Sequence, residues 1–419
     1  MTRTERTYYL VFGLYSLWAW FVAPIYPLFL RSRGLDALQV NLVLATYLII
    51  IFAFEVPTGA AADLVGRKAS FLLSCALRAV AFGLYAVAES FTDCLVAELV
   101  DGIGTTLASG ALDAWAVDGM REEGDEQPVA RFFARAQILA RGGMIVGGLA
   151  CAHLAAIDFA IPWWVAAGGF ATTGVVAAAA MRERGRSTAS AEAPRRHFVA
   201  LMGEGFRAVR GAPVLVLVCA LTAASFFAAI PAHMLWQQRM IDLSGEGVWI
   251  VGWLWVAINL AAIAGSAVLP RLLARLRRSR VLFLAALWRG GALAVAALAT
   301  RLEPALGGWL LQEASFGLTE PVMQAWMNEH VAADRRATVL SIRSMIGTLG
   351  GGAGLIAIGV VARDQGIPAA WMVSALLFLA SAPAYLLLER LAAIEPPGAM
   401  DAGEAPAAVP AKAAPPGLR

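Results

Sequence analysis

Runs of apolar residues, each about twenty long and bounded by polar or charged residues, recur along the whole chain. Twelve are read as helices crossing a bilayer, at roughly 7–30, 39–60, 69–88, 93–117, 132–156, 160–181, 213–236, 247–270, 281–299, 304–327, 338–362 and 368–389. None carries the continuous polar face that a surface helix of a soluble protein needs. The first run, Tyr8 to Leu30, is too long for a cleavable signal and further spans follow it, so it is read as the first span. The expected fold class is an all-α integral membrane protein of twelve transmembrane helices in two pseudo-symmetric six-helix bundles.

Residues 1–181 and 213–391 form the two expected bundles. Between them, 182–212 is a basic, Ser/Ala/Glu/Pro-rich segment read as a cytosolic linker, with a short amphipathic helix around His197 to Val209. Residues 392–419 have little to bury and are expected to be a disordered cytosolic tail. The halves repeat at an offset of 211 residues: Arg67 falls on Arg278, Arg78 on Arg289, Asp113-Ala114-Trp115 on Gln324-Ala325-Trp326, and Asp118 on Glu329. After a three-residue slip, Arg135 falls on Arg343 and Gly142-Gly143 on Gly350-Gly351.

Composition agrees with the pattern. Apolar residues make up 59% of the chain and charged ones 15%, with a mean hydropathy of +0.68. A soluble chain of 419 residues could not hide that much apolar surface. Lysine occurs only at Lys68 and Lys412, so the basic residues are nearly all arginine, the habit of a GC-rich bacterial genome. They crowd the segments on one side of the spans, among them Arg67 and Lys68, Arg131, Arg182 to Arg210, Arg271 to Arg280, Arg335 and Arg336. The other side holds Arg31, Arg33, Arg239, Arg301 and Arg363. Positive residues stay inside, which places both termini in the cytosol of a bacterial inner membrane. Cys75, Cys94, Cys151 and Cys219 all lie in apolar runs and read as small buried hydrophobes.

Between spans two and three the chain reads Gly59-Ala-Ala-Ala-Asp63-Leu-Val-Gly66-Arg67-Lys68. The glycines suit a tight turn between helices. The aspartate can meet the positive end of a neighbouring helix, and the basic pair anchors the loop in the cytosol. This G-x-x-x-D-x-x-G-R-K pattern resembles the signature loop of the major facilitator superfamily of secondary transporters. That resemblance covers about 7–390 and implies the superfamily's fold, with two six-helix halves rocking about a central site. It also implies a gate at Gly59, Asp63, Gly66, Arg67 and Lys68. The second half has lost the pattern, with Pro270 at the place of Gly59 and Ala274 at that of Asp63.

Ionisable residues inside a membrane are costly and are functional candidates by default. Glu98, Asp101, Thr105 and Ser109 follow at helical steps and share one face of span four. Two carboxylates a turn apart in a low-dielectric site repel, so one is expected to hold a proton. The pair is a candidate for proton coupling or substrate binding, with Asp101 the stronger of the two. The alternative is a solvated rim residue at Glu98 and a structural ion pair at Asp101. Drug/proton antiporters of the superfamily often carry R-x-x-Q-G-x-G here, whereas this chain has Glu98-Leu-Val-Asp101-Gly102-Ile-Gly104. Arg78, a third candidate for coupling or substrate binding, and Arg289 lie mid-span in both halves, need carboxylate or carbonyl partners and suit interhelix locks. Glu55, Asp113, Asp118, Arg135, Glu320, Glu329 and Arg343 are expected to form ion pairs near the inner face, or to snorkel there.

In the superfamily's fold, helices one, four, seven and ten line the cavity. Tyr15, Trp18, Tyr26, Phe226, Phe227, His233, Gln312, Glu313, Met323 and Gln324 are the candidates on three of these, with Asn259 from span eight. His233 has an interfacial alternative. Aromatic and methionine side chains with a few polar groups suit an amphipathic organic molecule. Gly142-Gly143-x-x-x-Gly147-Gly148 resembles, without its proline, a motif of the superfamily's exporters. The expected function is proton-coupled export of an amphipathic small molecule, cationic ones included, by a monomer among membrane lipids. Uptake by symport or facilitation, lipid flipping and sensing without transport are the alternatives. No phosphate-binding loop, nucleophile–base pair or metal cluster is visible, so neither an enzyme, a metal, a cofactor nor a nucleic-acid partner is expected, and the proton gradient supplies the energy.

Overall fold

The structure, a computed structural model, describes residues 1–124, 128–182, 203, 205–207, 209–331 and 336–394. Of the expected linker helix the structure describes 203, 205–207 and 209, which are helical, and of the expected tail only 392–394. The side chains of Asp63 and Glu329, within helices, are outside them too. The described residues form α-helices without strands: α1 (Arg3–Phe21), α2 (Tyr26–Ser32), α3 (Ala37–Val65), α4 (Arg67–Val87), α5 (Phe91–Ala108), α6 (Ala111–Glu122), α7 (Val129–Ala155) and α8 (Ile161–Ala180) in the first half. The second half holds α9 (Pro213–His233), α10 (Trp236–Ser244), α11 (Trp249–Leu273), α12 (Arg278–Leu298), α13 (Leu302–His330), α14 (Arg336–Gln365) and α15 (Ile367–Ile394).

Ten of the helical segments are long and apolar enough to span, and the pair α1 and α2, bent by 41°, makes eleven. The remaining expected span, the tenth, is α13, 29 residues long. It is less apolar because Gln312, Glu313, Ser315, Thr319 and Glu320 sit within it. Helix ends follow local chemistry. Thr2 with Glu5, Asp36 with Gln39, and Ser90 with Asp93 form capping boxes at the starts of α1, α3 and α5. The fourth expected span is interrupted, since Gly110 adopts φ 71° and separates α5 from α6. The turn between the second and third spans is shorter than expected. Gly66 alone makes it, at φ 106°. Gly59 is inside α3, and open space surrounds the position of a Cβ there, so its expected turn role is not realised.

Packing repeats with the sequence. In the first half α4 packs on α5 and α8, α3 on α5, and α1 on α7 and α8. In the second, α12 packs on α13 and α15, α11 on α13, and α9 on α14 and α15, which is the same scheme. Two pseudo-equivalent seams join the halves, α3 against α14 and α7 against α11. Their side-chain contacts lie toward the end away from the termini. Asn41 Nδ2 donates to the Leu355 carbonyl at 3.0 Å and Trp255 Nε1 to that of Met144 at 3.2 Å. The hydrophobic cores tell the same story. At that end they mix residues of both halves, Met234 and Leu355 joining one and Leu28 the other. At the terminal end each half keeps its own core. The molecule is therefore closed at the far end and parted at the end bearing the termini.

Close helix approach is set by small residues. A Cβ on Gly265 of α11 would stand 1.9 Å from the Ala314 carbonyl oxygen of α13. Gly265→Ala is expected to destabilise by about 1–3 kcal/mol through overpacking. Gly291→Ala, where nothing stands within 4 Å, is expected to be neutral or to gain up to about 1 kcal/mol of helix propensity. Thermal unfolding in detergent compares the two, and equal midpoints would contradict this α11–α13 contact.

Candidate functional site

A cavity of about 750 Å³ lies between the halves. Its wall is largely aromatic: Tyr15 and Trp20 from α1, Tyr26, Tyr47, Phe82, Tyr85 and Trp163 from the first half, and Phe226, Trp236, Trp255 and Phe316 from the second. Six acidic or basic side chains also reach it: Arg78, Glu98, Asp101, His233, Arg289 and Glu320.

Arg78 on α4 and Asp101 on α5 form a forked pair, Nε to Oδ1 at 2.8 Å and Nη2 to Oδ2 at 3.2 Å. Both are buried, at 4% and 7% exposure. The guanidinium also lies against Phe170, with its carbon 4.5 Å from the ring centroid, and donates to the Tyr15 hydroxyl at 3.2 Å. This satisfies the desolvated charge on both sides. Gly104 makes room for it, since a Cβ there would meet Arg78 Cγ at 2.8 Å.

Glu98, one turn along α5, is in a different environment. It is 5% exposed, so the solvated-rim alternative is overturned. The Tyr85 hydroxyl donates to it, and the Tyr26 hydroxyl is 3.1 Å from that of Tyr85. Trp163 stacks on Tyr85 with centroids 4.2 Å apart and holds the phenol in place. Glu98 makes no ion pair among the described residues. Its carboxyl is held by hydroxyls alone, beside an arginine already satisfied by Asp101.

The second half carries the repeat of this site with altered chemistry. Arg289 occupies the place of Arg78, against Phe378 at 4.2 Å, the repeat of Phe170. Gln312 stands where Asp101 stands, and accepts from Arg289 Nε at 3.0 Å. Trp309 replaces Glu98, and stacks on Trp371, the repeat of Trp163. Gln312 Nε2 donates to Glu313 Oε1 at 2.6 Å, and His233 Nε2 is 2.7 Å from the same oxygen. His233 thus faces the cavity and is tied to Glu313, whereas the interfacial alternative would leave it in the headgroup region.

Tyr15, Tyr26, Thr105, Phe226 and His233 line the cavity as expected, and Gln312 and Glu313 stand behind His233 and Arg289. Several expected lining residues do not. Trp18 lies flat on Gly169 of α8, Phe227 packs in the second half's core against α14, and Met323 is buried in that half's terminal-end core. Asn259 turns back to the Trp255 carbonyl, Ser109 is exposed at the end of α5, and Gln324 is exposed beside Glu320. Helical step alone places these residues near the axis, and neighbouring helices decide where each side chain points. Arg289, Tyr47, Tyr85 and Trp163 were missing from the expected lining. The repeat offset from Arg78 was the available signal for Arg289.

At the terminal end, Arg67 pairs with Asp118 and donates to the Ala114 carbonyl at 2.7 Å, tying α4 to α6. Lys68 Nζ caps the end of α8 on the carbonyls of Ala178 and Met181 at 2.8 and 2.6 Å. The basic pair of the loop therefore braces the first half internally in this conformation. Arg343 holds Glu320 at 3.0 Å and Thr222 at 3.0 Å, and Asp113 accepts from Tyr8 at 2.7 Å. Glu55 and Arg135, expected in this set, are exposed and unpaired among the described residues.

The family model described as Major Facilitator Superfamily matches residues 8–288 and 250–415. The chain is 20% identical, over 88% of its length and 92% of the relative's, to the uncharacterized MFS-type transporter YxaM of Bacillus subtilis (strain 168). Among solved structures, a mutant of the nucleoside transporter NupG aligns with a TM-score of 0.76 at 12% identity, over 92% of this chain and all (100%) of that one. A bacterial homologue of the human lysosomal transporter Spinster, inward-facing and occupied, aligns at 0.74 with 14% identity, over 92% and 96%. These structural likenesses concern the fold.

Proposed function

The chain belongs to the major facilitator superfamily of membrane transporters, and on that premise we propose that it moves an amphipathic organic molecule by proton-coupled alternating access, with Glu98 carrying the proton. The observation that supports this reading is the contrast within α5. Asp101 has its own guanidinium, and Glu98 faces the cavity with hydroxyl partners only. A carboxyl with no ion-pair partner of its own in a low-dielectric cavity gains or loses its proton according to what other charge the cavity holds, which is what coupling requires. The cavity opens on one side and is sealed on the other, the geometry that a rocking of two bundles reverses. With the arginine-rich end in the cytosol of a bacterial inner membrane, this conformation faces inward.

Export by antiport and uptake by symport are the two signs of the same coupling. The glycines of α7 favour neither, since Gly147 and Gly148 make room for Leu17, Phe21 and Trp255 and so serve packing. Cargo charge decides. A cation competes with a proton for a carboxylate, whereas an anion and a proton reinforce each other. In proteoliposomes, flux of a substrate panel is expected to accelerate under one polarity of an imposed pH gradient and to slow under the other. Flux indifferent to polarity overturns proton coupling, and the accelerating polarity identifies the sign.

A further inference from the structure

The charges around the cavity nearly cancel in pairs, and the remainder describes the cargo. Arg78 is matched by Asp101 and Glu320 by Arg343. The His233–Glu313 pair is neutral for a geometric reason. His233 Nδ1 lies 2.8 Å from the Ala229 carbonyl oxygen, which can only accept, so Nδ1 carries a proton. Nε2 lies 2.7 Å from a carboxylate oxygen, a distance at which two lone pairs repel, so one proton is shared there. Imidazolium with carboxylate, or imidazole with carboxylic acid, both sum to zero.

Two groups are left. Arg289, 3% exposed, has only neutral partners: the Gln312 amide oxygen, the Ser225 hydroxyl at 3.5 Å from Nη1, and the rings of Phe316 and Phe378. Its Nη2 is buried without a hydrogen-bond partner. Its repeat partner Arg78 has an aspartate where Arg289 has Gln312. The other group is Glu98. A desolvated guanidinium without a bonded counter-ion is costly, and among the described residues the nearby carboxyl, that of Glu313, makes no direct bond to Arg289 and is already held by Gln312 and His233.

We propose that Arg289 and Ser225 form an anion subsite for the carboxylate, or an equally compact anionic group, of the transported molecule. This rests on the cavity being the transport site. The balance then follows. With Glu98 ionised and the site empty, Glu98 offsets Arg289. When a substrate anion takes Arg289, neutrality requires a proton on Glu98. Empty carrier and carrier loaded with anion plus proton are the two neutral states, and an anion or a proton alone leaves a net charge in a low-dielectric cavity. Each ligand therefore strengthens binding of the other, which is symport.

Matched probes test the subsite. With purified full-length protein in detergent, benzoate is expected to raise the unfolding temperature, while benzamide and benzylammonium at equal concentration and ionic strength do not. Arg289→Gln is expected to weaken benzoate binding at least about 30-fold, the loss that follows removal of one partner of a buried charge pair. Ser225→Asp, which supplies the carboxylate from the cavity wall, is expected to abolish the benzoate effect in a protein whose stability is preserved. It decides the matter if Arg289→Gln fails to fold. Benzoate acting no better than benzamide, or equally on Ser225→Asp, overturns the subsite. Proton uptake on benzoate addition in weak buffer tests the coupling separately. It is expected in the native protein and absent in Glu98→Gln, which still binds benzoate. Anion binding without proton uptake overturns the role of Glu98 and leaves the subsite standing.

Discussion

Asp101→Asn is expected to cost the folded protein about 3–5 kcal/mol, because it leaves the Arg78 guanidinium buried without its carboxylate. The pair bridges α4 and α5 in the interior, and the asparagine amide can accept one of the two hydrogen bonds but carries no charge. Neither Tyr15 nor the rings around Arg78 can supply it. The double replacement Arg78→Met with Asp101→Leu removes both charges and fills the space, so it is expected to recover most of the loss. Thermal or denaturant unfolding in micelles measures all three proteins. A single variant as stable as the native protein would show that this pair is not closed in the folded membrane protein. Because the loss is structural, reduced flux in Asp101→Asn says nothing about coupling unless the folded fraction is measured too.

Glu98→Gln is expected to leave folding near native and to remove the gradient-driven part of transport altogether. Glutamine keeps the shape and an oxygen to accept the Tyr85 hydroxyl, and it cannot exchange a proton. Exchange of labelled for unlabelled substrate across the bilayer, which needs no net proton movement, is expected to continue. The two assays on one preparation separate a coupling residue from a structural one: loss of both sinks the assignment, and so does survival of gradient-driven flux. The same variant bears on charge balance. A permanently neutral residue 98 leaves the empty cavity with the unmatched charge of Arg289, so return of the empty carrier is expected to become slow.

The two variants differ because neighbours differ, and that is where reading the chain as a string runs out. Glu98 and Asp101 are three residues apart, so their shared face was legible, as was the cost of burying either. Their division of labour was not. Asp101, the stronger sequence candidate for coupling, is committed to Arg78, which lies 23 residues away on another helix. Glu98 meets a tyrosine held by a tryptophan from α8. Likewise the repeat named Arg289, but its unmatched state emerges only when His233 is found on Glu313, from helices far apart in sequence.

The sequence by itself determined the number and rough limits of the spans, their division into two repeated halves and the family, because bilayer thickness imposes a length of apolar chain and a repeated half repeats its pattern. It also named the membrane-buried charges, since each stands out against an apolar background. Only the tertiary structure decided which of them neutralise one another, which aromatic side chains face the cavity and which end is sealed. Those outcomes depend on side chains meeting across helices at distances near 3 Å, where a rotation of one helix exchanges a partner for a neighbour.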